Sequence, residues 1–282
     1  MATLESAKTK QQAIVKKIFM TVFSPWIVKK VYKIFFSPPR YEVRPTDQAV
    51  LERGNKYRIP FSGGELVVTT WGESGATVLL MHGWGGARAQ MTGFVDPLLS
   101  AGFRVVAYDQ PAHGESSGEM TNLLEIAPTL ELIKEHEGNF DAILAHSFGT
   151  LVISYALTNR NFPPPARLVY FGAFNRLLDT LPRFQVLASL PDKIIDGLRG
   201  MIYKNFGKDV VDGIVNETLT PQINIPALMF HDTTDKVTPI DDSRAIAKVW
   251  KSAKLIETEG LGHRGALRST AIHEQVVKFL KT

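Results

Sequence analysis

Serine, aspartate and histidine residues that could carry out chemistry follow directly after apolar runs of this sequence. Ser147 follows the run DAILAH, Asp232 and Asp235 follow PALMFH, and His263 lies just beyond KLIETE. A serine hydroxyl is a poor nucleophile until an imidazole takes its proton, and a carboxylate can fix the tautomer of that imidazole and stabilise its charged form. Nucleophilic catalysis is therefore the chemistry to expect if the fold brings one residue of each type together.

The elements that must position these residues alternate along the chain. Two short runs split by Gly63-Gly64 are typical of a hairpin, and six further apolar runs are typical of buried strands. The predicted strands are 57–61, 65–71, 77–82, 103–109, 141–146, 167–172, 226–231 and 254–259. The predicted helices are 88–100, 121–137, 148–159, 240–250 and 266–281. This order predicts an α/β fold, with a mostly parallel sheet covered by helices on both faces and its ligand site at the carboxyl ends of the strands.

One connection is longer than the others. The segment 174–221 lies between two predicted strands and carries apolar residues at near-helical spacing: Ile194, Ile195, Leu198, Met201 and Ile202. We interpret it as a helical cap that buries this stripe on the carboxyl end of the sheet, above Ser147, or lines a pocket there. A cap of fewer than fifty residues encloses a modest cavity, which favours small to medium apolar ligands.

Five motifs at the predicted strand ends resemble those of the α/β-hydrolase superfamily, and in particular a serine esterase or lipase with a short helical cap. The motifs are HGWGG (82–86), DQPAHG (109–114), AHSFG (145–149), DTTD (232–235) and GLGH (260–263), and the likeness covers residues 57–282. The resemblance implies a nucleophile elbow at Ser147, with Asp235 and His263 completing the catalytic triad. It also implies an oxyanion hole formed by the backbone N–H groups of Trp84 and Phe148.

Alternative candidates for these roles have weaker sequence contexts. Ser116 in GESSG matches the G-x-S-x-G pattern literally, whereas Ala145 replaces the first glycine at Ser147. Ser116 nevertheless lies seven residues beyond its strand, so we expect it to serve in a loop turn. Asp232 competes with Asp235, which we favour because the acid of this family precedes a V-x-P-like segment, here Val237-Thr-Pro239.

The remaining histidines and one glycine motif are not expected to act chemically. We expect His82 and His146 to form structural hydrogen bonds and His113 to hold its own loop. His136 and His273 fall on predicted helices and are expected to face solvent. The segment 260–265 matches the G-x-G-x-x-G dinucleotide motif, but only 17 residues follow it, which is too few to complete a βαβ unit.

Composition excludes several classes of site. The 282 residues include no cysteine, which excludes disulfides, thiolate metal sites and cysteine nucleophiles. No spacing of histidines and carboxylates indicates a metal site, and we expect no cofactor. Residues 1–40 carry eight basic side chains and one acidic, so the formal charge of +4 is concentrated in this basic arm and the remaining chain is mildly acidic. This distribution does not favour nucleic acid as a partner.

The basic arm allows two interpretations. Its longest uncharged run, 18–28, is far shorter than the roughly 20 residues of a membrane span, and lysines stand where a signal peptide would be cleaved. Ser24-Pro25 predicts a junction between two short amphipathic helices. Their apolar stripe either packs on the body of the protein, formed by the hydrolase domain 41–282, or contacts an anionic lipid surface.

We therefore expect a cytoplasmic enzyme, at most peripheral to a membrane, that hydrolyses carboxylic esters of small to medium apolar acyl groups through an acyl-enzyme. The same residues would serve an acyltransferase or a thioesterase, since only the acceptor or the acyl donor changes. A binding protein on a hydrolase fold is a third interpretation, because a fold does not determine a function.

Overall fold

A computed structural model describes residues 24–282 and contains one eight-stranded sheet. Each of the eight predicted apolar runs forms a strand, and the bounds differ from the predicted ones by no more than two residues. The strands are β1 (Asn55–Phe61), β2 (Gly64–Trp71), β3 (Thr77–Met81), β4 (Arg104–Tyr108), β5 (Ala142–His146), β6 (Arg167–Phe171), β7 (Ala227–Asp232) and β8 (Ala253–Thr258).

The sheet has the strand order β1-β2-β4-β3-β5-β6-β7-β8. The pairs β1–β2 and β2–β4 are antiparallel, and the other five pairs are parallel. Met81 pairs with Ala145, and Phe171 pairs with both His146 and Phe230, so the carboxyl ends of four neighbouring strands lie at one edge. Residues that follow these strands are thereby collected at a single edge, as the sequence predicts for an α/β fold.

The helices alternate with the strands. The α-helices are α1 (Ser24–Phe36), α2 (Pro45–Glu52), α3 (Val95–Ser100), α4 (Leu123–Ile126), α5 (Thr129–Glu137), α6 (Phe148–Asn159), α7 (Thr180–Ala188), α8 (Asp192–Phe206), α9 (Lys208–Gly213), α10 (Asn216–Leu219), α11 (Ile240–Val249), α12 (Gly262–Gly265) and α13 (Thr270–Leu280). Short 3-10 helices occupy Arg88–Phe94, Leu177–Asp179, Thr220–Gln222 and Ala266–Arg268.

Hydrophobic clusters pack on both faces of the sheet. Successive residues of β3 alternate between them, with Leu79 and Met81 in one cluster and Val78 and Leu80 in the other. All four are fully buried, as expected for a parallel strand covered by helices on both sides. Because both faces of the central strands are buried, their sequences are continuous apolar runs.

The chain divides into two compact units. The larger comprises residues 37–177 and 214–282 and contains the whole sheet. The described part of the smaller comprises residues 24–36 and 178–213, so α1 from the basic arm belongs with the helices of the insertion. No helix in residues 24–282 is both long enough and apolar enough to cross a bilayer.

Within the smaller unit, α1 packs against α8. Gly197 allows the close approach, because a Cβ atom at this position would lie 2.6 Å from Cγ2 of Val28. The ring of Phe36 contacts that of Phe206 at a centroid distance of 5.7 Å. Of the predicted stripe, Met201 is partly buried and the four other residues are buried. The first predicted helix of the arm lies outside the described residues.

Candidate active site

Ser147 stands at the turn between β5 and α6. Its φ of 52° and ψ of −123° are in a region that residues with a side chain rarely adopt, and its N–H donates to the carbonyl of Phe171 at 2.8 Å. Gly149, two residues later, has no room for a side chain, since a Cβ there would lie 2.6 Å from the carbonyl oxygen of His82. This tight turn presents Ser147 at the carboxyl edge of the sheet, where it retains 9% exposure.

Asp235 and His263 form a short hydrogen bond. His263 Nδ1 lies 2.6 Å from Asp235 Oδ2, while Asp235 Oδ1 accepts the backbone N–H groups of Val237 and Thr238. Burial by itself would raise the pKa of Asp235, but hydrogen bonds from His231 and His263 outweigh it and hold that pKa well below its usual range. The ionised carboxylate thus accepts a hydrogen bond from Nδ1–H, which leaves Nε2 of His263 free to act as a base.

Asp232 makes a different set of contacts. Its carboxylate accepts hydrogen bonds from the backbone N–H of Thr234, from Thr258 Oγ1 and from the backbone N–H of Leu261. Burial disfavours its charge, but the bonds from Thr234 and Leu261 hold its pKa well below the usual range. Asp232 therefore fastens the loop that leads to His263, whereas Asp235 contacts the imidazole itself.

His146 precedes Ser147 in the chain and contacts His263. Its Nε2 is 2.9 Å from the carbonyl oxygen of His263, and the two imidazole centroids are 4.6 Å apart. Burial, followed by the neighbouring His263, lowers the pKa of His146 to about 3, so the ring is neutral and donates this hydrogen bond. Among the described residues no hydrogen bond joins Ser147 Oγ to His263; such bonds are often long in free enzymes and tighten when substrate binds.

Trp84 and Phe148 lie side by side. Their rings meet edge to face at a centroid distance of 5.5 Å. The preceding loop passes directly over the nucleophile, because a Cβ on Gly83 would lie 2.9 Å from Cβ of Ser147. Phe148 is the first residue of α6, so its N–H also carries the positive end of the helix dipole. In residues 24–282 neither the N–H of Trp84 nor that of Phe148 donates a backbone hydrogen bond.

Two buried contacts hold the loop that carries Trp84. His82 Nδ1–H donates to the carbonyl of Gly83 at 2.8 Å, and its Nε2 accepts the N–H of Gln110 at 3.1 Å. Burial lowers the pKa of His82 to about 4, which keeps the ring neutral in this arrangement. Further along, the Asp109 carboxylate pairs with the Arg88 guanidinium and accepts its backbone N–H at 2.7 Å. No motif or spacing in the sequence indicated a role for Arg88.

The hydroxyl of Ser116 is engaged in two structural hydrogen bonds. It donates to the carbonyl of Asp109 at 2.6 Å and accepts the N–H of Val67 at 2.8 Å. It therefore ties the loop after β4 to the sheet. His113 donates from Nδ1 to the carbonyl of Pro111 at 2.9 Å and likewise holds this loop.

The prediction that His273 faces solvent is wrong. It is 7% exposed, its ring lies 4.5 Å from that of Phe94, and its Nε2 is 3.1 Å from the carbonyl oxygen of Leu267. A position on a predicted helix does not show whether a residue faces solvent or the core. A histidine can be buried when one ring nitrogen bonds to a backbone carbonyl and the rest of the ring packs against other side chains. His136, in contrast, is exposed.

Sequence reasoning overlooked His231. Its Nε2 lies 2.9 Å from the carbonyl oxygen of Thr238 and 3.4 Å from Asp235 Oδ2, and its Nδ1 lies 2.6 Å from Ser243 Oγ. The ring is therefore a second donor next to the Asp235 carboxylate. A polar residue at the end of an otherwise apolar buried strand was the only available signal.

Among residues 24–282 there is no group of three or more histidine and acidic side chains that could hold a metal ion.

Comparisons with known proteins identify the family. Residues 78–275 match the model of the alpha/beta hydrolase family, and the chain belongs to this family. A bifunctional esterase/perhydrolase of Acinetobacter calcoaceticus is 24% identical and aligns with 78% of this chain and 97% of its own. An esterase of Pyrococcus furiosus has a TM-score of 0.62 at 20% identity, over 87% of this chain and 97% of its own. A membrane phospholipase A has a TM-score of 0.64 at 16% identity, over 100% of both chains.

Proposed function

We propose that this hydrolase cleaves carboxylic esters through an acyl-enzyme formed on Ser147. The observation that carries the proposal is the 2.6 Å hydrogen bond from His263 to the buried Asp235, beside a serine in a strained strand-to-helix turn. An ionised acid, an oriented imidazole and a serine hydroxyl at one edge of a sheet are the groups that acyl transfer requires.

In the proposed reaction, His263 Nε2 takes the proton of Ser147 Oγ as the oxygen bonds to the ester carbonyl carbon. The N–H groups of Trp84 and Phe148 stabilise the negative oxygen of the tetrahedral intermediate. The bond to the alkoxy group then breaks, His263 returns its proton to the departing alcohol, and the acyl group remains on Ser147. A water molecule, deprotonated by the same imidazole, attacks this acyl-enzyme and releases the acid.

We propose small to medium apolar acyl groups as the preferred substrates. The size limit rests on the sequence, in which the segment 174–221 has fewer than fifty residues. The aromatic side chains of Trp84 and Phe148, beside the turn that carries Ser147, would offer no partner to a charged acyl group, whose desolvation would then be costly. The same acyl-enzyme could pass its acyl group to an alcohol, a thiol or hydrogen peroxide, and the esterase/perhydrolase relative gives specific reason to include peroxide as an acceptor.

The experiment is a series of nitrophenyl esters from acetate to palmitate, measured as kcat/KM, together with a phospholipid substrate. We expect the highest efficiency on short and medium chains, and a loss on the order of 10⁴-fold or more in kcat for Ser147→Ala. Ser116→Ala is the matched control, since it removes a buried serine hydroxyl outside the triad and should keep most activity. A fluorophosphonate probe should label wild type and not Ser147→Ala.

Other outcomes point to different functions. Highest efficiency on palmitate or on the phospholipid would overturn the acyl preference but leave the nucleophile in place. Activity in Ser147→Ala together with inactivity in Ser116→Ala would overturn the assignment of the nucleophile. Labelling by the probe without hydrolysis of any ester would favour acyl transfer, and absence of both would favour a binding protein.

A further inference from the structure

We propose that the exposed face of α1 is a docking surface for an anionic phospholipid bilayer. We call this surface the basic face; it consists of Trp26, Lys29, Lys30, Lys33 and Ile34, all of which are exposed. At 100° per residue these five positions lie within one half of the helix surface, centred near Trp26. The proposal concerns the smaller unit alone and is independent of the proposed esterase activity.

The opposite side of α1 already has a packing partner. Val28 and Val31 are each 7% exposed, and Val28 lies against Gly197 of α8. Tyr32 accepts a hydrogen bond from Asn205 at 3.1 Å, and Phe35 contacts Phe184 with its centroid at 5.2 Å. The two interpretations of the arm are thus compatible, because one side of α1 packs on the insertion while the basic face remains available.

The basic face combines the two chemistries that bind a bilayer surface. Trp26 is 63% exposed and Ile34 is 54% exposed, although burial of either side chain would be favourable. Lys30 Nζ lies 5.7 Å from the centre of the Trp26 ring. An indole ring prefers the boundary between headgroups and acyl chains, and lysines beside it reach the phosphates.

The charge of α1 is complementary to anionic lipid. This helix carries three lysines and no acidic residue, whereas residues 178–213 carry five basic and five acidic side chains. The net positive charge of the described part of the smaller unit therefore comes from α1 alone. Each lysine near an anionic bilayer raises the binding affinity about fivefold, so three of them together have a large effect.

Exposed apolar side chains are also concentrated in this unit. Seven large apolar residues of the described chain are exposed, and five of them lie in the smaller unit: Trp26, Ile34, Val186, Leu187 and Val210. Val186 and Leu187, at the end of α7, are 79% and 85% exposed. Scattered exposed apolar residues need no explanation, but their concentration in the smaller of two units, together with the lysines, favours an interfacial role.

The test is co-sedimentation of the full chain with vesicles of phosphatidylcholine alone or with 30% phosphatidylglycerol. We expect binding to the anionic vesicles that weakens with salt, and a loss on the order of 100-fold for the triple variant Lys29→Glu, Lys30→Glu, Lys33→Glu. The matched control is Lys251→Glu, Lys254→Glu, Lys281→Glu, which changes the net charge equally at exposed lysines of the larger unit. This control should bind within about threefold of wild type. Circular dichroism of both variants checks their folding.

A second measurement follows Trp26 directly. Its fluorescence should shift to shorter wavelength on anionic vesicles, and Trp26→Phe should abolish this shift. Equal binding to both vesicle types, equal losses in the two triple variants, or no vesicle binding at all would overturn the proposal. A further variant replaces Lys8, Lys10, Lys16 and Lys17 with glutamate. If this variant loses binding while the α1 variant retains it, the lipid contact lies outside the described residues and the proposal is overturned as well.

Discussion

At the scale of single residues, the candidate triad depends on how many groups hold the Asp235 carboxylate. One oxygen accepts two backbone N–H groups, and the other faces both His263 and His231. These donors keep the carboxylate ionised despite its burial, so His263 always meets a negative partner. Of the four donors, His231 is the one that is neither a backbone group nor a member of the triad.

We therefore expect His231→Phe to lower kcat on the order of tenfold, because it removes a donor to a charged group while conserving the ring shape. Loss of this donor raises the pKa of Asp235 and strengthens the attraction between its carboxylate and a protonated His263. The acid limb of the profile of kcat/KM against pH should consequently move to higher pH.

His231→Gln, which keeps an N–H donor at a similar distance from the backbone, should restore most of the loss. Ser243→Ala removes the partner of His231 Nδ1 and controls for packing. If His231 has only a structural role, His231→Phe and Ser243→Ala will both lower the melting temperature and leave the pH profile in place.

At the scale of elements, the two glycines in α8 differ in how closely other atoms approach them. Gly197 lies against Val28, whereas a Cβ on Gly200 would have nothing within 4 Å. Glycine in a helix lowers its stability by about 1 kcal/mol relative to alanine. At Gly197 the close packing of α8 with α1 offsets this loss.

Gly197→Ala should thus destabilise the packing of α1 on α8 by about 1 kcal/mol net, because the stiff valine must move. Gly200→Ala is the matched control and should be neutral or slightly stabilising. Thermal unfolding and limited proteolysis within residues 24–36 measure both. Equal protection of α1 in the two variants would contradict the packing described here.

At the scale of the whole molecule, three neutral histidines are buried near the carboxyl ends of neighbouring strands. His82 and His146 are fully enclosed, and burial lowers their pKa values to about 4 and about 3. His113 lies in the loop after β4, and burial lowers its pKa to about 3. Each has an ordinary pKa near 6.5 in the unfolded chain.

The free energy of unfolding should therefore be highest above pH 6.5 and fall as the pH decreases towards 4. In this range these histidines bind protons in the unfolded chain but not in the folded one. Each histidine contributes up to about 1.4 kcal/mol per pH unit in this window. Urea unfolding at a series of pH values measures the slope. His113→Asn keeps a donor near the position of Nδ1 without titrating, so its slope should be smaller by about one proton. An unchanged slope would mean that His113 titrates alike in both states.

The sequence determined the sheet and the order of its strands along the chain, since strands buried on both faces must be continuously apolar and the helices between them amphipathic. It also predicted that Ser147, Asp235 and His263 lie beyond strand ends, because those positions follow from strand limits alone. The separate contacts of Asp232 and Asp235 required tertiary structure. Only two residues lie between them, and the path of the loop alone decides which carboxylate faces the imidazole.

Contacts between distant segments were likewise beyond the sequence. The burial of His273, the donor role of His231 and the pairing of Arg88 with Asp109 each depend on what lies opposite the side chain, which periodicity does not specify. The packing of α1 on α8 joins helices more than 150 residues apart along the chain. A local pattern shows that a helix has an apolar side, and only the folded chain shows which surface covers that side and which residues remain exposed.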